Sequence, residues 1–468
     1  MTNALKEPWR NVKKLDIFNI MDALKIATAG SVDDGKSTLI GRLLYETKSL
    51  KLDQLELLTI KSQQKGYDYI DFSLATDGLL TERAQGITID VSHLYLTTPK
   101  RRYVLADAPG HQEYTRNMVT GASNAQAAVV LLDARKGVVE QTKRHFYITQ
   151  LLGLKHLIFA INKMDLVDFN QEVYQKIADE IQLLVNSELR SVVQYHIIPI
   201  SALHGANITH HSPNTPWYDG PSFMEALSRI PSEINAPSEL NVLQVQWVIR
   251  PKTEAHHDYR GFTGKVQSGT FKKGMPITVF PSKLKTTVLK IERYGQEVDS
   301  VQQGENASLI LADQVNVDRG STLISDTLGT VRCEQSWKAR ICWLQNTPLN
   351  TQSMYLLQHG PQVVKCKILH IRSKTNIETG VEEQTNSIEL NDIGIIEFMT
   401  DQPITATDFK THRHLGSWIL IDPQTNNTAA VGMNQSEASK SLESLGLDLE
   451  IIEEVFSEDI PKGRIIAS

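Results

Sequence analysis

With 468 residues, 41% hydrophobic and 22% charged, the chain has the composition of a soluble globular protein and the length for about two to four domains. Its formal net charge of -6 and the lack of a Lys/Arg-rich tail argue against nucleic acid as the main partner, because phosphate backbones are met by positive surfaces. Three cysteines without CxxC spacing suit thiols in a reducing compartment, and no apolar run is long enough to span a bilayer, so a cytoplasmic protein with no membrane contact is expected.

Residues 1–20 read as an N-terminal extension, and the first core strand is expected near Leu24–Ala29. It runs into Gly30-Ser31-Val32-Asp33-Asp34-Gly35-Lys36-Ser37-Thr38 and then a helix, the arrangement a phosphate-cradling loop requires. Gly30 and Gly35 permit the tight turn, Lys36 reaches the terminal phosphates, and Ser37 is set to hold a magnesium ion. Short apolar strands follow at Tyr103–Ala106, Ala127–Leu132 and Leu157–Ile161, with helices around Thr115–Gly121, Gln141–Leu152 and Gln171–Leu184. Such alternation implies an α/β domain with a mostly parallel sheet covered on both faces, here over residues 21–232.

Four further stretches point to the nucleotide. Asp107-Ala108-Pro109-Gly110-His111 closes a strand, so that Asp107 can hold magnesium through a water and Gly110 can offer its N–H to a γ-phosphate. His111, just beyond, is the candidate for orienting the hydrolytic water. Thr88, in Glu82-Arg83-Ala84-Gln85-Gly86-Ile87-Thr88-Ile89-Asp90, is the candidate second protein ligand for magnesium. Asn162-Lys163-Met164-Asp165 is the discriminator: Asp165 can accept from guanine's ring N–H and exocyclic amine, Asn162 can bond the base and tie neighbouring loops together, and the Lys163 stem can lie along the ring. Ser201-Ala202-Leu203, after the apolar run Ile197–Ile200, can supply a backbone N–H to guanine O6. The nucleotide expected is GTP, with Mg2+.

Beyond the linker around Pro231–Pro237 come brief β-type runs: Leu243–Val248, Phe262–Ser268, Pro276–Phe280, Thr287–Arg293 and Ala307–Leu311. They suggest a small antiparallel β-barrel over 238–330. A second barrel is expected over 335–433, from Ala339–Leu344, Ser353–Leu357, Val363–Ile371, Gly394–Met399 and Gly416–Ile421. The tail, 434–468, is acidic and reads as a solvated amphipathic helix or a disordered tail, with partner docking as the alternative.

These motifs resemble translation-factor-type GTPases of the elongation factor Tu branch. A closer resemblance is to the GTPase subunit of bacterial sulfate adenylyltransferase, carried by the double-aspartate loop Gly30–Leu44, Asp77-Gly78-Leu79, Glu82–Val91, Tyr114–Met118, Asp133-Ala134-Arg135-Lys136-Gly137, Pro216-Trp217-Tyr218 and Tyr259-Arg260-Gly261-Phe262. Elongation factors usually carry His-Val-Asp-His where this chain has Ser31-Val32-Asp33-Asp34. Ala108 stands where the family usually has threonine, and Gln112-Glu113 reverses a common order. The resemblance implies a GTP-hydrolysing subunit in a heterodimer, or a larger assembly of heterodimers, with a smaller catalytic subunit that forms adenosine 5′-phosphosulfate and diphosphate from ATP and sulfate. No second phosphate loop follows residue 432, so no fused adenylylsulfate kinase is expected. The alternatives are a translation factor that binds tRNA or the ribosome, and a switch whose only output is binding.

Overall fold

The computed structural model describes residues 23–64, 66–75, 91–108, 118–119, 122, 124–186, 194–231, 240–251, 259–326 and 330–435. Two compact units emerge: one from Met1–Thr142, Leu154–Ile181 and Val193–Ser232, the other from the remaining residues.

The first unit is built on a six-stranded sheet of β1 (Ala23–Ala29), β2 (Ser92–Thr97), β3 (Arg102–Asp107), β4 (Ala127–Asp133), β5 (His156–Asn162) and β6 (Gln194–Pro199). Its strand order is β2-β3-β1-β4-β5-β6, parallel except for β2, which runs antiparallel to β3 at the edge. A central strand buried on both faces is apolar up to its end: all seven residues of β4, Ala-Ala-Val-Val-Leu-Leu-Asp, are buried, the closing Asp133 included. The edge strand β2 instead exposes alternate residues, among them Tyr95 at 70%. Leu24, Ile26, Leu105, Val129, Leu131, Ile158 and Ile198 on the sheet join Leu39, Ile40 and Leu43 of helix α1 (Lys36–Glu46) in one core. Helix α2 (Leu52–Gln64) and a 3-10 turn at Phe72–Ala75 follow, then α3 (Glu140–Leu151), grouped with the second unit from Lys143 on, α4 (Gln171–Val185), grouped with it from Gln182 on, and α5 (Phe223–Arg229). The last starts with a reciprocal cap in which Ser222 and Glu225 bond each other's backbone N–H.

Because β3 and β4 flank β1 on opposite sides, the chain reverses direction across the sheet at the end of β1. In an open parallel sheet that is where ligands bind, outside the carboxyl ends of the strands.

The second unit holds two barrels. The first comprises β7 (Leu240–Gln244), β8 (Trp247–Ile249), β9 (Gly261–Ser268), β10 (Thr270–Lys272), β11 (Pro276–Phe280), β12 (Leu284–Arg293), β13 (Gln296–Val298), β14 (Ser300–Gln302), β15 (Asn306–Leu311) and β16 (Thr322–Asp326). Six of them close a ring, β11-β16-β7-β9-β15-β12, through the β11–β12 pairing. The second comprises β17 (Arg332–Trp343), β18 (Met354–His359), β19 (Gln362–Thr375), β20 (Glu382–Glu383), β21 (Ile393–Ala406), a short helix α6 (Arg413–Gly416), β22 (Ser417–Ile421) and β23 (Thr428–Asn434). It closes as β18-β22-β23-β17-β21-β19 through β18–β19. Closure gives each of the six strands of either ring a neighbour on both sides, and each ring is filled by its own apolar cluster.

Two expectations need correction. Leu243–Val248 is not one strand: β7, between β16 and β9, ends at Gln244, Val245 N bonds Ser321 O and Gln246 N bonds Thr263 O, and after this corner β8 pairs, among the described residues, with β9 alone. The strands of the second barrel are also longer than the apolar runs suggest, 12 residues in β17 and 14 in β19 and β21. Register shifts between Glu334 and Ser336 and between Ile368 and His370 break the alternation that sequence reading relies on. The helix expected at Thr115–Gly121 falls mainly outside the described residues.

Candidate functional site

Five strand ends converge on one edge of the first sheet. In register, Thr28 of β1 lies beside Asp107 of β3, Ala29 beside Val130 of β4, and Asp133 beside Asn162 of β5. Ile161 lies beside Pro199 of β6, from which the chain continues to Ser201. The four motif stretches separated by long tracts of sequence therefore meet.

The phosphate loop starts at Gly30, with φ 156°, and ends at Gly35, a left-handed N-cap of α1 with φ 92°. A Cβ at Gly35 would sit 2.4 Å from Asn162 Nδ2, so the position excludes any side chain on grounds of both backbone and space. Asp33 also has positive φ. Lys36 is 7% exposed and its ammonium donates to Gly30 O at 2.7 Å and Ser31 O at 3.1 Å, folding the side chain back along the loop. Burial pushes its pKa down, against the pull of the Asp107, Asp34 and Asp33 carboxylates. Ser31 Oγ is buried without a hydrogen-bond partner among the described residues. The Asp34 side chain turns back to accept from Ser31 N at 2.6 Å, and burial raises its pKa in spite of that bond. Val32, Ser37 and Thr38 are half-buried on the loop and first turn of α1. Asp107 is 1% exposed, and its carboxylate accepts from Thr28 Oγ1 at 3.3 Å, while Ala108 is fully buried.

Asn162 joins the loops. Its Nδ2 donates to Asp34 O at 2.8 Å, and its Oδ1 accepts from Ala202 N at 2.9 Å. The Ala202 amide is thus committed to Asn162 and not open to a base; of the expected triplet, Leu203 is the remaining donor. Ser201 is buried, its backbone pairing with Ala206. Met164 is buried under the 3-10 turn Met164–Val167, which presents Asp165, with His204 Nε2 at 3.9 Å from its carboxylate. Arg42, on α1, donates to Ala202 O at 3.1 Å and to Leu203 O, and lies 4.5 Å from the Phe72 ring centre. That tie between α1 and the Ser201–Leu203 loop was not anticipated, since nothing in the local pattern of Arg42 points across the fold. Thr88, Pro109, Gly110 and His111 lie outside the described residues.

Among the described residues no helix is long and apolar enough to cross a membrane. The elongation factor Tu GTP-binding domain matches residues 21–236, elongation factor Tu domain 2 matches 262–324, and a GTP-eEF1A C-terminal domain-like model matches 336–435. A PASTA domain model matches 430–468, across the acidic tail. Sulfate adenylyltransferase subunit 1 of Bacteroides fragilis is 39% identical over 90% of this chain and 87% of its own length. The protein of that name from Alteromonas mediterranea is 40% identical over 88% and 86%. The bifunctional enzyme CysN/CysC of Mycobacterium tuberculosis is 40% identical over 88% of this chain and 67% of its own. Among solved structures, sup35 complexed with GDP covers 91% of this chain and 98% of its own at 22% identity with a TM-score of 0.39, a distant likeness only. The chain carries an elongation factor Tu-type GTP-binding domain and belongs to the sulfate adenylyltransferase subunit 1 family.

Proposed function

We propose that the chain binds GTP with Mg2+ along the carboxyl edge of its first sheet and couples GTP hydrolysis to adenylyl transfer carried out by a smaller catalytic partner. The observation that carries this reading is the Asp34 O–Asn162–Ala202 N relay, which joins the phosphate loop to the loops expected to hold guanine. A phosphate group would draw on the backbone N–H groups at the start of α1 and on Lys36. The hydroxyl of Ser37 and the carboxylate of Asp107 are hard oxygen donors of the kind magnesium prefers, with Asp107 acting through a water and Thr88 as the second protein ligand. When bound, the ion neutralises charge on the β- and γ-phosphate oxygens. Asp165 would accept from the guanine N–H groups, Lys163 would cover the ring and Leu203 N would donate to O6.

Hydrolysis needs a water aligned with the γ-phosphorus; attack breaks the bond to the β–γ bridging oxygen and gives GDP and phosphate. His111 is the residue proposed to orient that water, by position more than by proton abstraction. Thr88 and Gly110 would report the γ-phosphate to the partner, since both would lose contacts when it leaves. In the partner, a sulfate oxygen displaces diphosphate from the α-phosphorus of ATP, giving adenosine 5′-phosphosulfate. That transfer is uphill, which is the reason for linking it to a second hydrolysis. The pair would be a heterodimer, alone or in a larger assembly, acting in the cytoplasm on sulfate destined for assimilation. Purification with the native partner tests this: GTP hydrolysis and adenylylsulfate formation should rise together when ATP and sulfate are supplied. GTP consumption indifferent to both substrates would refute the coupling.

A further inference from the structure

Asp133 ends β4 with its side chain fully buried, yet it is neither a phosphate nor a base ligand in the reading above. Its carboxylate is enclosed by cation donors. Lys163 Nζ lies 2.9 Å from Oδ2, Arg135 Nη2 2.6 Å from the same oxygen, and Arg135 Nε and backbone N each 3.0 Å from Oδ1. Strand pairing makes this possible. Asp133 faces Asn162 across β4–β5, and Ala134 N bonds Asn162 O at 2.9 Å, so the side chain one residue beyond Asn162 falls within reach of the carboxylate.

Lys163 has φ 63°, left-handed backbone that a long side chain seldom adopts without restraint. A flexible four-carbon stem on such a residue has many rotamers, and ordering it at the moment of ligand binding would cost affinity. The ion pair with Asp133 fixes the far end of the stem beforehand. Arg135 is half exposed and shares the carboxylate, but it stands on the strand-end turn and not on the base loop.

We propose that Asp133 is a positioning residue for the nucleotide: its carboxylate holds the Lys163 ammonium so that the lysine stem is laid out for the guanine ring before the nucleotide arrives. The inference rests on the reading of Asn162–Asp165 as the base site. Burial alone would raise the Asp133 pKa, but the hydrogen bonds from Arg135 and Lys163 outweigh it and hold the group well below the usual carboxylate range, so the clamp stays charged at neutral pH.

The test is a double-mutant cycle on the full chain, with fluorescent-nucleotide displacement giving affinities for GDP, GTP and inosine diphosphate. Asp133→Asn and Lys163→Met should each weaken all three about tenfold, roughly the loss of one charge-assisted contact, and the double variant should be no weaker than either single one. Because a ring-face contact does not read the exocyclic amine, the ratio of GDP to inosine diphosphate affinity should stay constant in these variants and fall in Asp165→Asn. Additive losses in the double variant would show that Asp133 acts otherwise than through Lys163 and would overturn the proposal. A Lys163→Met variant with unchanged affinity would bring down the base-site reading itself. If only Asp133→Asn is silent, that reading stands and the positioning role falls. Arg135→Ala leaves the Lys163–Asp133 pair in place and should stay within about twofold of wild type. A tenfold loss there would refute the proposal even if Asp133→Asn does not fold.

Discussion

Replacing Asn162 with alanine should separate the phosphate loop from the base loops while leaving the sheet intact. The side chain makes two buried hydrogen bonds, at 2.8 Å to Asp34 O and 2.9 Å from Ala202 N, and both partner residues are 2% exposed or less. Truncation therefore strands one carbonyl and one amide. A buried polar group left without a partner costs about 1–3 kcal/mol, so the pair would cost about 2–6 kcal/mol if the space stays dry. A water entering the vacated volume would meet one of the two needs and hold the loss near 2 kcal/mol, or about 30-fold in affinity. The expected result is a weakening of GDP and GTP binding by at least about 30-fold and by similar factors, because the relay supports both loops and does not sense the third phosphate. Titration calorimetry with each nucleotide measures it directly, and thermal unfolding without nucleotide separates a local effect from global destabilisation. Affinities within twofold of wild type for both nucleotides would show that the relay does not organise the site.

Other expectations follow from the same geometry. Gly41→Ala puts a Cβ 2.0 Å from Phe72 O. The gain of up to about 1 kcal/mol in helix propensity should be outweighed by displacement of the Phe72–Ala75 turn, for a net loss on the order of 1–3 kcal/mol in thermal or urea unfolding; a raised midpoint would contradict the packing described. Burial lowers the Lys36 pKa, and bound phosphates should restore it. Nucleotide binding should then take up protons wherever the free protein has begun to lose the Lys36 proton, and affinity should fall as pH rises through that lowered pKa. Calorimetry in buffers of different ionisation enthalpy reads that uptake, and none at all would refute the assignment. In the second barrel His412 accepts from Leu415 N at 3.2 Å and, through burial and then the charge of His414, titrates at about 4. Its folded pKa lies below the unfolded value, so stability is full above about pH 6.5 and is lost as pH falls towards 4, by about 2 kcal/mol at pH 5. His412→Asn keeps a capping side chain and should flatten that part of the pH–stability curve; an unchanged slope between pH 5 and 7 would exclude His412 as its source.

The parts of the fold legible in the sequence were those where one local signal suffices. Ala127–Leu132 and Leu157–Ile161 are uninterrupted apolar runs because their strands are buried on both faces, and the observed strands extend them by a residue or two. Gly30 and Gly35 announce their turn because no other residue tolerates those backbone angles at that spacing from a neighbouring side chain. What stayed hidden was set by partners distant in sequence. Helix α2 buries only Leu58 and Ser62 fully and exposes Leu52, Leu57 and Ile60, so its apolar residues do not fall on one stripe. The bulges in β17 and β19 are imposed by register with β21, which a single strand does not reveal.

The same division runs through the site: motif reading names candidate ligands and passes over the side chains that support them. Asp165, Lys36 and Ser37 sit in short stretches whose residue types are dictated by what they would touch. Asp133 and Arg42 act on those stretches from other elements, Asp133 through strand register with Asn162 and Arg42 through two carbonyls of the Ser201–Leu203 loop. A carboxylate at a strand end and an arginine on a helix are individually commonplace, so their chemistry becomes specific only when the sheet brings β4 beside β5 and α1 beside the loop after β6. Affinity for the nucleotide should accordingly be as sensitive to these two supports as to a direct contact, because each holds in place a loop or a flexible side chain that would otherwise have to be ordered by the ligand.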